Sequence, residues 1–177
     1  DLITRLGRPQ MKFKSIKVRG LGPFTKLVEY DLSTLEGRLT VISGANGAGK
    51  STVAELLLGA VYRSTPTRGT LVNLAGENRD GLLEVTVETD DVYILRHLVD
   101  GVSGKAEAVA MYGDGKPCTN TGKVTEFDGW VEKHFPTMSL ALVTQFAAQG
   151  DGGFITCKPA DRKSLMLQMF GADHLEV

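Results

Sequence analysis

The chain has 177 residues, of which 42% are hydrophobic and 23% are charged, close to the averages for soluble globular proteins. This composition excludes disordered and collagen-like classes, and the length predicts one domain with a substantial core. The formal net charge is −1, so the total charge predicts no general attraction to nucleic acid, although a balanced total can conceal a basic face.

No apolar run approaches the roughly 20 residues that a membrane-spanning helix needs, so we expect no contact with a membrane. Cys118 and Cys157 lie far apart and have no Cys-x-x-Cys or Cys/His spacing. This predicts free thiols in a reducing cytoplasm rather than a zinc site or a disulfide. Residues 1–10 precede a methionine, Met11, that looks like a natural start, and we interpret them as an extension outside the fold.

Residues 11–62 predict two strands, a third strand, a glycine loop and a helix in succession. The first two strands are expected over residues 11–19 and 27–30. Residues 39–43 form a short β-branched apolar run between glycines, typical of a strand buried on both faces, and are predicted to be the central strand of the sheet. Residues 50–62 are largely apolar and contain no proline, which predicts a mostly buried helix.

The next part of the chain predicts an antiparallel meander. Residues 83–88 alternate strictly between apolar and polar side chains, as a half-buried strand does. Residues 92–98 and 107–112 are two further strand candidates, separated by turns that contain glycine and aspartate.

The last third predicts helices. Val124, Phe127 and Val131 fall on one helical face, and Pro136 ends that helix. Residues 140–148 fit neither period clearly. A final helix is expected to begin with Pro159 in its first turn.

A phosphate-binding motif lies between the predicted central strand and the first helix. Its sequence, Gly-Ala-Asn-Gly-Ala-Gly-Lys-Ser-Thr, matches G-x-x-x-x-G-K-[ST] in the required strand–loop–helix context. The glycines permit backbone angles that turn successive N–H groups toward phosphate oxygens. Lys50 is expected to contact the β- and γ-phosphates as a catalytic residue, and the Ser51 hydroxyl to ligate Mg²⁺. The motif therefore predicts a site for ATP and Mg²⁺ formed by Gly44, Asn46, Gly47, Ala48, Gly49, Lys50, Ser51 and Thr52.

Two other interpretations of this segment are weaker. A glycine-rich turn that merely joins a strand to a helix would not need the Lys-Ser pair that follows. A dinucleotide-binding loop is disfavoured because the glycines at 47 and 49 continue into Lys50 rather than toward a third glycine.

Two parts of the chain resemble a known family. The opening strand, its Gly-Pro-Phe turn and the phosphate loop, with Asn46 before the central glycine, resemble the N-terminal opening of SMC-like ABC ATPases. The second half resembles the Q-loop region of SbcC-type DNA double-strand-break repair ATPases in residues 146–151, 154–155, 158–163 and 169–171. The resemblance spans nearly everything from 11 to 171 and is strongest at these two motifs.

The resemblance implies an α/β fold: the N-terminal lobe of a P-loop ABC ATPase head over residues 11–177, with a central strand and helix plus an antiparallel β layer. By position it gives Gln149 the role of the Q-loop glutamine, which contacts Mg²⁺ and the attacking water. A neutral amide oxygen suits both tasks. Gln145 is the competing candidate, and a surface glutamine in a loop is the plain alternative.

The chain departs from the family pattern after Gln149, where it holds neither an L-S-G-G-Q-like stretch nor a hydrophobic strand ending in Asp-Glu. The resemblance places these pieces beyond a long coiled coil. The chain alone is therefore expected to bind nucleotide and to hydrolyse it poorly.

The implied function is ATP-driven head engagement in DNA double-strand-break repair and recombination. The implied partners are the protein's own C-terminal lobe, a second head in a homodimer, an SbcD-type nuclease subunit and double-stranded DNA. The implied location is the cytoplasm, with nucleoid association in a bacterium or phage. Another SMC- or RecF-like DNA-binding ATPase, a small P-loop kinase and a nucleotide-gated binding module are the alternatives.

Several other residues are candidates for a functional role. The opening strand carries four cations, Lys12, Lys14, Lys17 and Arg19. They fit either a surface that faces nucleic acid or a solvated face of the strand. Arg63 and Arg68 occupy a region where SMC-like heads contact DNA. Phe24 and Lys26 fit either a contact with the nucleotide base or a plain hairpin tip.

Overall fold

The computed structural model describes residues 11–75, 80–146 and 157–169. By its internal contacts the chain divides into two compact units, Met11–Lys133 and a unit that contains the residues from His134 onward. The predicted division into an extension before Met11 and one lobe after it stays a prediction.

The first unit is built on a five-stranded sheet in the order β2-β1-β5-β6-β7, in which every neighbouring pair is antiparallel. A two-stranded ribbon, β3-β4, stands apart from it. In chain order the elements are β1 (Lys12–Arg19), β2 (Val28–Asp31), a 3₁₀ helix (Ser33–Leu35), α1 (Lys50–Tyr62), β3 (Ser64–Thr65), β4 (Gly69–Thr70), α2 (Leu71–Leu74), β5 (Asp80–Glu88), β6 (Val92–Asp100), β7 (Ala106–Tyr112) and α3 (Val124–His134).

The core lies between one face of this sheet and α1. Alternation along β5 places Leu83, Val85 and Val87 on that face, and all three are fully buried. Leu56 and Ala60 of α1 belong to the buried cluster that covers the face. Each buried aliphatic side chain contributes about 1.5–3 kcal/mol, so this alternation is the main reason that the meander forms. The predicted meander, the predicted helix at 50–62 and the α/β class are confirmed.

The predicted central strand at 39–43 is wrong. These residues form no strand, and the side chains of Leu39, Val41 and Ile42 are 99%, 83% and 57% exposed. A strand forms only by pairing, and β1 already has a neighbour on each side. The apolar composition of the run gives it strand propensity, but none of the described strands pairs with it.

The two edges of the sheet differ. At β7 the outward backbone groups are bonded to the segment that follows: the N–H of Ala108 donates to the Gly122 carbonyl (3.0 Å) and the N–H of Cys118 donates to the Ala110 carbonyl (2.8 Å). The Ala110 N–H donates to the Thr119 hydroxyl at 3.0 Å. Within the described ranges β2 pairs only with β1, so β2 is the open edge.

The second unit contains two described helices, α4 (Met138–Thr144) and α5 (Pro159–Met169), which contact each other. The Thr137 hydroxyl caps α4 by accepting from the Leu140 N–H at 3.3 Å. The helix predicted to begin with Pro159 is confirmed. Helix α4 accounts for the first part of the ambiguous stretch at 140–148.

His97 of β6 ties the sheet to the end of α1. Its side chain is 1% exposed, and its Nε2–H donates to the carbonyl of Ala60 at 2.6 Å. That carbonyl is among the last four of α1, which have no partner within the helix. The ring also packs edge-on against Phe127 of α3, with centroids 4.9 Å apart. Burial lowers the pKa of His97 to about 4, so the ring is neutral at pH 7 and keeps its proton on Nε2.

We expect acid to destabilise the first unit through His97. The pKa is about 4 in the folded state against 6.5 for the free side chain, so the unfolded chain takes up the proton first. The neutral His97 ring therefore adds to the free energy of unfolding in full above pH 6.5. This added stability falls as the pH drops from 6.5 toward 4, by about 3 kcal/mol in all. Urea unfolding of the wild type and of His97→Gln at several pH values should give a steeper pH dependence for the wild type. Equal slopes would contradict the prediction, because all other titrating groups are common to both proteins.

Candidate functional site

The phosphate loop follows the exposed 39–43 segment and leads directly into α1. Gly47 and Gly49 have φ angles of +82° and +93°, in the left-handed region that side chains with a Cβ rarely adopt. The N–H of Ala48 donates to the Ala45 carbonyl at 3.2 Å, which closes a turn inside the loop. The backbone thus reverses at the two positions where glycine is required.

Lys50, the first residue of α1, folds its side chain back over this loop. Its Nζ donates to the carbonyls of Gly44 and Ala45, each at 2.8 Å. The first backbone N–H groups of α1 have no acceptor one turn earlier in the helix, and the helix dipole adds positive potential there. The loop therefore combines a fixed ammonium group with free amide donors, an arrangement suited to a polyanion.

A cleft of about 550 Å³ opens beside the loop, within the range of small-molecule sites. Most of the predicted binding residues line it, and Ser51 presents an exposed hydroxyl there. Gly44 does not line the cleft but accepts a hydrogen bond from Lys50, which does, and Ala48 lines a second groove instead. The lining residues of the cleft are Gly22, Pro23, Asn46, Gly47, Gly49, Lys50, Ser51, Thr52 and Arg68.

Arg68 is a cation of this cleft that the motif did not reveal. The β3–β4 ribbon brings it back toward the loop, where its Nε lies 3.5 Å from Oε2 of Glu55 on α1. The Thr67 hydroxyl donates to the other oxygen of Glu55 at 2.6 Å. The sequence suggests Arg68 only as a DNA contact, because nothing in its local pattern indicates that the ribbon folds beside the loop.

Phe24 is a core residue and not a hairpin tip or a base contact. Its side chain is 6% exposed and belongs to the main buried cluster. Its neighbours Gly22 and Pro23 line the cleft, whereas Lys26 is exposed and does not. The Gly-Pro pair is typical of a solvent-facing turn, but here the turn lies against the phosphate loop.

Three of the four cations of β1 are held in ion pairs with glutamates of the first unit. The Nζ of Lys14 lies 2.7 Å from Glu36 and 2.8 Å from Glu88, and Lys12 contacts the same two carboxylates. Lys17 pairs with two further glutamates. Hydrogen bonds from Lys12 and Lys14 hold the pKa of Glu36 at about 2, so these pairs stay charged at neutral pH. This favours the solvated strand face over a nucleic-acid surface.

Arg63 is likewise engaged inside the molecule. Its guanidinium makes a bidentate pair with Asp128 of α3, at 2.7 and 2.6 Å. It ends α1 in a left-handed conformation, with φ of +55°. These contacts indicate a structural role for Arg63 rather than a DNA contact.

Of the two candidate Q-loop glutamines, only Gln145 lies in the described part of the chain. It is half-buried directly after α4, and its Oε1 has no hydrogen-bond partner among the described residues. Gln149 lies outside the described residues, so its catalytic and metal-binding roles stay predictions.

The described residues contain no group of three or more His, Cys, Asp or Glu side chains arranged to hold a metal ion. The cleft lining likewise contains no carboxylate. Ser51 fits a magnesium ion that takes its remaining ligands from phosphates and water, which is common for Mg²⁺. None of the described helices has the length and apolar character that crossing a bilayer requires.

A glycine loop that ends in Lys-Ser at the start of a helix, with a cleft beside it, defines a phosphate-loop nucleotide-binding domain. The family model described as an AAA domain matches residues 15–125, so the chain belongs to this family of ABC/SMC-like P-loop ATPases. The chain is also similar to the zinc import ATP-binding protein ZnuC of Alcanivorax borkumensis, with 37% identity over 83 residues. The match covers 47% of this chain and 31% of ZnuC, so the chain spans about a third of that relative's length.

We expect Ser51→Ala to weaken ATP binding only when Mg²⁺ is present. Removing the hydroxyl takes one ligand from the ion and leaves the loop amides and Lys50 in place, so affinity should fall about tenfold with Mg²⁺. Calorimetric titrations of both proteins with ATP, in excess Mg²⁺ and in EDTA, give the comparison. An equal loss in EDTA would show that the substitution damages the loop itself.

Proposed function

We propose that this protein binds ATP with Mg²⁺ in the phosphate loop and hydrolyses it when a complementary lobe completes the site. The observation that carries the proposal is the position of the Lys50 ammonium group, which is held over the phosphate loop by the carbonyls of Gly44 and Ala45. It would contact the β- and γ-phosphates there, and Ser51 would hold Mg²⁺. The catalytic and metal-binding role of Gln149 is part of the same proposal.

The complementary lobe would dock on the exposed 39–43 segment. A groove of about 340 Å³ runs beside this segment, and its apolar side chains include Leu32, Leu35, Ile42 and Val53. Gly49 and Lys50 also line it, so a lobe seated there would lie next to the bound phosphates. The backbone groups of this apolar run have no partner in the described part of the chain, which suits strand addition by a partner. The occupant that we propose is the sheet of the protein's own C-terminal lobe.

The biological role that we propose is head engagement in DNA double-strand-break repair and recombination. It is supported by the resemblance of residues 146–171 to the Q-loop region of SbcC-type ATPases. Two ATP-bound heads would associate as a homodimer and control double-stranded DNA and an SbcD-type nuclease subunit, in the cytoplasm or nucleoid. A small kinase is less well supported, because the described cleft has one arginine, Arg68, and no acid to receive a phosphate acceptor.

Lys50→Ala should abolish measurable ATP binding, because the loop would lose its only full charge and Lys50's bonds to the carbonyls of Gly44 and Ala45. Lys105→Ala is the matched control: it removes the same charge from an exposed turn between β6 and β7. Isothermal titration with magnesium ATP should give heats only for the wild type and the control. Unchanged heats for Lys50→Ala would contradict the proposed site.

Ile42→Asp should prevent docking of the complementary lobe and leave ATP binding intact. Docking would take a carboxylate at this position out of water and against apolar side chains, which costs several kcal/mol. Val102→Asp places the same charge on an exposed turn, where Val102 is 74% exposed, and should have no effect. The measurements are co-purification with the separately produced lobe and multiple-turnover ATP hydrolysis by the joined lobes.

The repair role is tested by the same hydrolysis assay with and without double-stranded DNA. We expect DNA to change the rate of the joined lobes and not to change ATP binding by this chain. A rate that is indifferent to DNA would contradict the repair role while leaving the ATPase proposal standing.

A further inference from the structure

We infer that Phe24 is a positioning residue for the nucleotide site: its ring forms a fixed wall against Gly49 and holds the phosphate loop in its anion-ready shape. This inference rests on the proposed ATP binding and adds a residue that lies outside the G-x-x-x-x-G-K-[ST] motif. Phe24 acts through the backbone of Gly49 and does not itself line the cleft.

The observation that supports this wall is that no side chain would fit at position 49. A Cβ built on Gly49 would lie 2.7 Å from Cζ and 3.3 Å from Cε1 of Phe24, and 2.9 Å from Cγ of Pro23. Real Cβ atoms are essentially never found at the shortest of these separations. Gly49 is therefore constrained twice, by its left-handed φ of +93° and by the ring beside it. Gly47, the other left-handed glycine of the loop, has open space beside it, because a Cβ added there would have no atom of the described residues within 4 Å.

The ring is itself held in place by the turn that carries it. The Gly20 N–H donates to the Phe24 carbonyl at 2.6 Å, and the Gly22 N–H donates to the Leu74 carbonyl of α2 at 2.8 Å. Gly20 lies against the backbone of Asp80 in β5, where no side chain would fit. The turn is thus fixed to the sheet and to α2, and Phe24 is buried among their side chains.

A fixed wall has a definite consequence for binding. Gly49 is the last residue before α1, so its position sets where the first amides and Lys50 point. A loop that already has its bound shape loses less conformational freedom when the phosphates enter, which raises affinity without adding a contact. Without the Phe24 ring the loop would keep the same hydrogen-bond donors, but binding would have to order them, and the lost conformational entropy would lower the affinity.

The first experiment compares Phe24→Leu with Phe127→Leu. Phe127 is a fully buried phenylalanine that packs against His97, so its replacement removes the same atoms away from the loop. Both variants should unfold at lower temperature. At a temperature where both are folded, Phe24→Leu should bind magnesium ATP about tenfold more weakly and Phe127→Leu should bind within about twofold of the wild type. Equal affinities for the two variants would overturn the inference.

The second experiment needs no nucleotide and therefore separates this inference from the proposed function. Gly49→Ala is made in the wild type and in Phe24→Leu, and the free energy of unfolding is measured for all four proteins. The added methyl group should destabilise the wild type more than the Leu variant, because the smaller side chain gives back part of the space. If Gly49→Ala lowers the free energy of unfolding equally in both backgrounds, the inferred contact between Phe24 and Gly49 is wrong, even if the wild type binds ATP.

Phe24→Met covers the case in which Phe24→Leu does not fold. Methionine keeps much of the buried volume and lacks the rigid ring, so it should fold and show the same loss of affinity. Wild-type affinity in a folded Phe24→Met protein would overturn the inference. Absence of ATP binding by the wild type would refute the proposed function, and the four-protein comparison would still decide whether the wall exists.

Discussion

The ring of Phe24 lies so close to Gly49 that a methyl group would not fit between them. This contact joins three parts of the first unit: the turn after β1, the phosphate loop and the start of α1. A glycine loop has many conformations available to it, and binding an anion through main-chain amides requires only one of them. Phe24 belongs to the core and lies against Gly49, the residue that sets the conformation of the loop at the start of α1. Core packing and anion binding therefore both involve Phe24 and Gly49.

Helix α1 is held at its other end by different chemistry. His97 of β6 donates to the carbonyl of Ala60, and Arg63 makes its bidentate pair with Asp128 of α3. Both contacts satisfy polar groups at the C-terminal end of a helix that is otherwise packed by aliphatic side chains. The C-terminal end of α1 is therefore tied both to the sheet, through His97, and to α3, through Arg63.

The parts of this structure that local sequence determines were predictable. The meander follows from alternation in 83–88 and its neighbours, and the glycine loop that leads into α1 follows from the phosphate-loop motif. The parts that depend on distant residues were not. The 39–43 run has strand propensity without a partner, Arg68 reaches the cleft through a ribbon of two-residue strands, and Phe24 is buried although it follows a Gly-Pro turn. Strand pairing and side-chain burial depend on residues that are distant in the chain, so neither can be predicted from a short stretch of sequence.

The difference between the two sheet edges limits how this protein could join other chains by strand addition. The outward hydrogen-bonding groups of β7 are already engaged by residues 118–122, so within the described ranges the sheet can grow only beyond β2. Growth from both edges would produce a filament, as in cross-β assemblies. With a single open edge among the described strands, two copies that met through β2 would form a closed pair with no further sheet edge for a third copy.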